Sequence, residues 1–142
     1  MTNAEIVELR TEPDNPAVLS VGSKVKHYVK WRCPLGCHDY RLRNWLDYYD
    51  ESKPGWENVY YTETVINSSV PDIIETMVLN RPLNKAGKYR FTSQIGFWTD
   101  DTFRSYDQES IEYEFATKAK LVIETTPAGA DVYLDNTFVG TT

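Results

Sequence analysis

The stretch from Ser23 to Cys33, SKVKHYVKWRC, alternates without a break: Val25, His27, Val29, Trp31 and Cys33 fall on one side, and Lys24, Lys26, Tyr28, Lys30 and Arg32 on the other. Successive side chains of an extended chain point to opposite faces, so this pattern reads as a strand with one face in a core and one in water. The basic stripe Lys24, Lys26, Lys30 and Arg32 is then a solvated face, expected to be answered by glutamates on neighbouring strands.

The same period recurs outward from this strand. In ESIEYEFAT, residues 109–117, Ile111, Tyr113 and Phe115 point inward and Glu112 and Glu114 outward. Between the two lie DYRLRNWLDYY, WENVYYTETVI, DIIETMVL and GKYRFTSQIGFW, separated by DESKPG, NSSVPD and RPLNKAG, whose Pro, Gly, Asn, Asp and Ser suit turns. An opening strand near Ala4 to Arg10 completes a set of seven. The sixth is expected to bury Tyr89, Phe91, Ser93, Ile95 and Phe97, while polar residues on both faces of the third and fourth predict a bulge. An aromatic content of 13% with only two methionines also favours strands over a helical bundle. Seven antiparallel strands in about 100 residues is the strand count of an immunoglobulin-like sandwich. The expected fold class is therefore all-β: an immunoglobulin-like antiparallel sandwich over residues 1–117.

Two local features carry resemblances. In LNKAGKYRF, Leu83, Gly87 and then Tyr89 just inside a strand resemble the tyrosine corner of immunoglobulin and fibronectin type III sandwiches. Phe91 stands where an antibody domain has its second core cysteine, so the inter-sheet disulfide of those domains is absent. The closing stretch TTPAGADVYLDNTFVGTT resembles the opening of the PEGA domain, a small β module of archaeal and bacterial surface proteins. Pro127, Gly129 and Ala130 match three of its four naming letters, and Val132 to Asp135 and Val139 to Thr142 follow its later positions. This resemblance implies an appended, incomplete β module over residues 118–142, whose strand and hairpin turn Leu121, Ile123, Val132, Leu134 and Phe138 to one side. It also implies an extracellular or cell-surface setting and a larger parent protein. The opening MTNAEIVELRTE lacks the charged-then-apolar order of a signal peptide, as expected of a piece taken from a longer chain.

Charge and motifs narrow the function classes. A net charge of −6 and a pI near 4.9 argue against nucleic acid, whose phosphates are bound by clustered Lys and Arg. No stretch has the roughly 18 to 20 apolar residues of a membrane span. Glycine-rich phosphate loops, GxSxG and a histidine ordered with a serine and a carboxylate are all missing, so no catalytic residues are assigned and no cofactor is expected. Cys33 and Cys37, four apart around Pro34 and Gly36, are expected to form a disulfide, since a turn brings two α-carbons to roughly 5 to 6 Å. Zinc is not expected: six residues of extended chain put His27 roughly 20 Å from Cys33. Asp100, Asp101 and Asp107 have oxygen ligands suited to calcium, without the spacing of a dedicated loop, and no metal site is assigned.

The aromatic surplus is the remaining signal. Adjacent pairs such as Tyr48 with Tyr49, and Tyr60 with Tyr61, must send one ring to each side of a strand. Trp45, Trp56, Trp98, Tyr49, Tyr61 and Tyr106 are the candidate ligand-contacting rings, apolar bodies with polar tips. Two readings follow. One is a non-catalytic structural or adhesion module of a larger cell-surface or secreted protein; the other is a carbohydrate-binding module that uses exposed Trp and Tyr. The partner is a protein or a glycan at a cell surface, and at least two of the rings should share one exposed face if it is a glycan.

Overall fold

The computed structural model describes residues 3–14, 17–20, 22–118, 131–134 and 137–141. Its strands are β1 (Glu5–Glu12), β2 (Ala17–Ser20), β3 (Lys24–Arg32), β4 (Cys37–Tyr49), β5 (Trp56–Ser68), β6 (Ile74–Pro82), β7 (Gly87–Thr99), β8 (Thr102–Lys118), β9 (Asp131–Leu134) and β10 (Thr137–Thr141). A three-stranded sheet runs β1-β3-β6 and a five-stranded sheet runs β2-β8-β7-β4-β5. Every pair in the two is antiparallel except β2, which lies parallel to β8. The fold is an all-β, immunoglobulin-like sandwich. Among the described residues eight strands rather than seven build it: β2 is additional, and the strand expected at 109–117 begins already at Thr102.

The core forms where the alternating faces meet. Strand β3 contributes Val25, Val29 and Trp31, β4 Leu42 and Leu46, β7 Tyr89, Phe91 and Ile95, and β8 Tyr113 and Phe115. Each such side chain stabilises the fold by about 1.5 to 3 kcal/mol through burial alone. Phe97, expected inward, is half-buried at the end of the sandwich, stacked on Tyr40 at 5.4 Å. Several polar groups inside are partnered. Trp31 Nε1 donates to Thr76 Oγ1 at 3.0 Å, Ser93 Oγ donates to Asn44 Oδ1 at 2.8 Å, and Asn44 Nδ2 donates to the Leu42 carbonyl at 3.1 Å. His27 Nε2 lies 2.7 Å from the Tyr113 hydroxyl, while its Nδ1 is buried without a partner.

Chain reversals follow the local chemistry. The Tyr89 hydroxyl donates to the Lys85 carbonyl at 2.7 Å, four residues upstream, over a buried Leu83; this is the bond of a tyrosine corner. Gly87 enters β7 at φ 143°, in the left-handed range that favours glycine, and a Cβ there would meet the Tyr48 ring at 2.8 Å. Strands β7 and β8 join through the two-residue turn Asp100–Asp101, with Asp100 at φ 52°. The loop from β3 to β4, which changes sheets, is closed by a disulfide between Cys33 and Cys37, whose α-carbons are 5.9 Å apart. Bulges interrupt β4 against β5 at two places, and Val59 is the extra residue at one of them.

Beyond the sandwich, β9 and β10 pair antiparallel in a two-stranded sheet with a shift between Phe138 and Gly140. Leu121, Ile123 and the segment Pro127 to Ala130, on which much of the PEGA resemblance rests, lie outside the described residues.

Candidate functional site

The two sheets present outer faces of different character. On the three-stranded sheet, the basic stripe of β3 is answered across strands at Arg32, which pairs with Glu5, and at Lys30, whose Nζ is 3.5 Å from Glu8; beside them the Tyr28 hydroxyl donates to Glu12 at 3.1 Å. Arg10 joins them, 2.7 Å from Glu75 and 2.9 Å from Glu12, and lies 4.1 Å over the Tyr28 ring. The bonds to Arg10 hold the Glu75 and Glu12 carboxyls below the usual range. This face satisfies itself with exposed pairs that solvent screens.

The outer face of the five-stranded sheet is aromatic. Because Leu42, Asn44 and Leu46 point into the core, Arg43, Trp45, Asp47 and Tyr49 of β4 point away from it. Pairing extends each position sideways. Tyr49 stands opposite Trp56 of β5 and Lys88 of β7, Asp47 opposite Asn58 and Arg90, Trp45 opposite Tyr61 and Thr92, and Arg43 opposite Glu63 and Gln94. Strand β8 adds Glu112, Ser110 and Gln108 beside Arg90, Thr92 and Gln94. The rings meet in tilted or edge pairs: Tyr49 with Trp56 at 5.4 Å, Trp45 with Tyr61 at 5.5 Å, and Trp98 with Phe103 at 5.2 Å. The Arg43 guanidinium lies between two of these pairs, 5.0 Å from Trp45, 5.1 Å from Trp98 and 4.7 Å from Phe103. Arg90 lies 4.4 Å over Trp56. Such contacts fix the rings as well as the cations.

Planar polar groups are spread among the rings. Trp98 Nε1 donates to Glu63 at 2.6 Å, and Arg41 Nε is 3.3 Å from the same carboxylate. Arg43 donates to the Tyr61 hydroxyl at 3.2 Å and to Gln94 Oε1 at 3.3 Å. Asp47 accepts from Asn58 at 3.1 Å and pairs with Arg90 at 3.3 Å. In the middle of the sheet Thr92 and Ser110 are short, and with Trp45, Asp47, Arg90 and Gln108 they line a hollow of about 390 Å³. Its Thr92 and Ser110 hydroxyls bond each other at 2.8 Å.

Of the six candidate rings, Trp45, Tyr49, Trp56, Tyr61 and Trp98 share this face; Tyr106 does not. Register shifts between Ile95 and Gly96, which pair with Asp107 and Ser105, leave Tyr106 as the extra residue of a bulge. It turns inward to stack on Tyr40 at 5.9 Å. The same bulge moves Phe103 to the outer face beside Trp98, a ring that alternation counted from 109–117 does not find. The carboxylates weighed for calcium have other roles: Asp100 and Asp101 form the hairpin turn, and Asp107 accepts from the amides of Ile6 at 2.8 Å and Gln108 at 2.9 Å. Among the described residues, no three His, Cys, Asp or Glu side chains gather as metal ligands do, and no helix is long and apolar enough to cross a membrane.

No family model and no curated protein sequence matches the chain. Among solved structures it is similar to the C-terminal domain of wzt, at 13% identity and TM-score 0.65, over 84% of this chain and 77% of that one. It is also similar to part of the Pseudomonas fluorescens alkylpurine DNA glycosylase AlkC, in a structure bound to DNA containing an abasic site analogue. There the identity is 12% and the TM-score 0.55, over 81% of this chain and 31% of that one. At such identities the likeness speaks for the fold alone.

Proposed function

We propose that the sandwich is a non-catalytic adhesion module that binds glycans through the outer face of its five-stranded sheet. One observation carries this reading: four strands bring Trp45, Tyr49, Trp56, Tyr61, Trp98 and Phe103 to a single face, among amide, guanidinium and carboxylate groups. Sugar rings have apolar C–H faces that rest on aromatic rings and rims of hydroxyls that bond to planar polar side chains. The opposite sheet, with its charges paired strand to strand, lacks this combination. A binding role also suits the face's carboxylates, since Glu63 and Asp47 already accept bonds from neighbouring donors.

The setting we propose is a larger cell-surface or secreted protein. Support comes from the Cys33–Cys37 disulfide, which belongs to oxidising compartments, and from the PEGA resemblance of the residues leading into the β9–β10 hairpin. In this reading the sandwich and a PEGA-like module are successive units of one surface protein.

Binding of soluble polysaccharides followed by tryptophan fluorescence and calorimetry tests the proposal. Trp45→Ala is expected to weaken binding about thirtyfold or more, the ~2 kcal/mol of a central interface ring. Tyr28→Ala, on the opposite sheet, is expected to leave it unchanged. No binding across a broad panel of neutral and acidic glycans would leave the rings as a cover for the sheet and the domain as a spacer.

A further inference from the structure

Resting on the glycan reading, we propose that the central hollow seats one neutral sugar ring and selects against acidic ones. At about 390 Å³ the hollow lies near the lower end of small-molecule sites, about 300 to 1,000 Å³, which suits a single ring better than a stretch of chain. Its lining has the parts such a ring needs. Trp45 supplies an apolar wall, while the small Thr92 and Ser110 leave the space open at the centre of the sheet. Two strands with longer side chains at these positions would close it.

The charge of the lining decides the class of sugar. Among the described residues Arg90 is the one cation lining the hollow, and it is paired with Asp47, which lines the same hollow 3.3 Å away. Gln108, Thr92 and Ser110 are neutral. A sugar carboxylate placed against Arg90 would also meet the Asp47 carboxylate, a repulsion that a neutral ring avoids. A pair of adjacent hydroxyls instead uses both members. Asp47 accepts a hydrogen bond from one hydroxyl and Arg90 donates one to the oxygen of the other, so the ion pair recognises a diol without a net charge. Arg43, outside the hollow, is held among Trp45, Trp98 and Phe103 and bonds to Gln94 and Tyr61.

The test uses the full chain with dextran, galactan and mannan as neutral probes, and alginate and polygalacturonate as acidic ones. Calorimetry is expected to find binding to at least one neutral polysaccharide and at least tenfold weaker binding to both acidic ones. Ser110→Leu, which fills the hollow at an exposed strand position, is expected to abolish the neutral binding with an unchanged melting temperature. Asp47→Asn, of the same shape, is expected to weaken neutral binding tenfold and narrow the preference over the acidic probes. Neutral binding that survives Ser110→Leu would overturn the seat while leaving glycan binding by the face intact. Preference for the acidic polysaccharides would overturn the selectivity in the same way. Failure of every probe, in a chain whose melting temperature shows it folded, would overturn both this inference and the reading it rests on.

Discussion

Gly96→Ala is expected to destabilise the sandwich by about 3 kcal/mol, the upper end of the range for overpacking. A Cβ at residue 96 would stand 1.9 Å from the Arg104 carbonyl oxygen and 3.0 Å from the Phe103 ring. The first of these is backbone, so relief requires the two strands to part where the bulge draws them together. That bulge decides which rings reach the outer face, because it turns Tyr106 inward and Phe103 outward beside Trp98. Urea unfolding should therefore show a lower midpoint, and the Trp98–Phe103 contact should loosen with it. A midpoint equal to that of the unaltered chain would mean that β8 does not approach β7 as described, and Phe103 would lose its place in the site.

Acid should destabilise the fold through His27. The ring is fully buried beside Tyr113 and Phe91, and burial lowers its pKa from 6.5 to about 4. The unfolded chain takes up a proton below pH 6.5 and the folded chain does not until about pH 4. The contribution of the neutral ring is therefore complete above pH 6.5 and lost as pH falls towards 4. At ~1.4 kcal/mol per pH unit, the loss is about 3 kcal/mol. Exposed carboxyls held low by partners, such as Glu75 and Asp39, lose their own stabilisation at lower pH and do so in any variant that keeps them. The difference between the chain and His27→Gln isolates the histidine. Denaturant unfolding at several pH values should show the Gln variant losing about 3 kcal/mol less between pH 6.5 and 4. Parallel stability curves would contradict a neutral, buried His27.

The alternation at 23–33 and 109–117 was legible because each strand has one face in the core and one in water, which writes a period of two into the residues themselves. Of the expected inward set, Tyr89, Phe91, Ser93 and Ile95 are buried for that reason, while Phe97 at the strand's end is half-buried. Tyr60 and Tyr61 part as adjacent strand residues must: Tyr60 bonds the Pro82 carbonyl at 3.2 Å on the inner side, and Tyr61 stands beside Trp45 outside. Strand β2 was not legible. Its four residues AVLS are too short to show a period, and their partner is β8, about 100 residues away in sequence. The first half of β8 was hidden by its bulge, since one inserted residue reverses the faces of everything before it. Tyr106 and Phe103 consequently exchange places relative to simple alternation. The hollow was illegible for a related reason. Trp45, Arg90 and Ser110 come from β4, β7 and β8, and only register sets them side by side.

The most direct test of glycan recognition by the aromatic face is the ¹⁵N–¹H spectrum of the four tryptophan indoles during titration with a polysaccharide that the chain binds. Trp45, Trp56 and Trp98 lie on the proposed binding face, whereas Trp31 is buried between the sheets with its Nε1 bonded to Thr76. Binding at the face predicts that the indole signals of Trp45, Trp56 and Trp98 move while that of Trp31 stays fixed. Signals that all remain in place while the polysaccharide binds would put recognition elsewhere on the molecule and contradict the account.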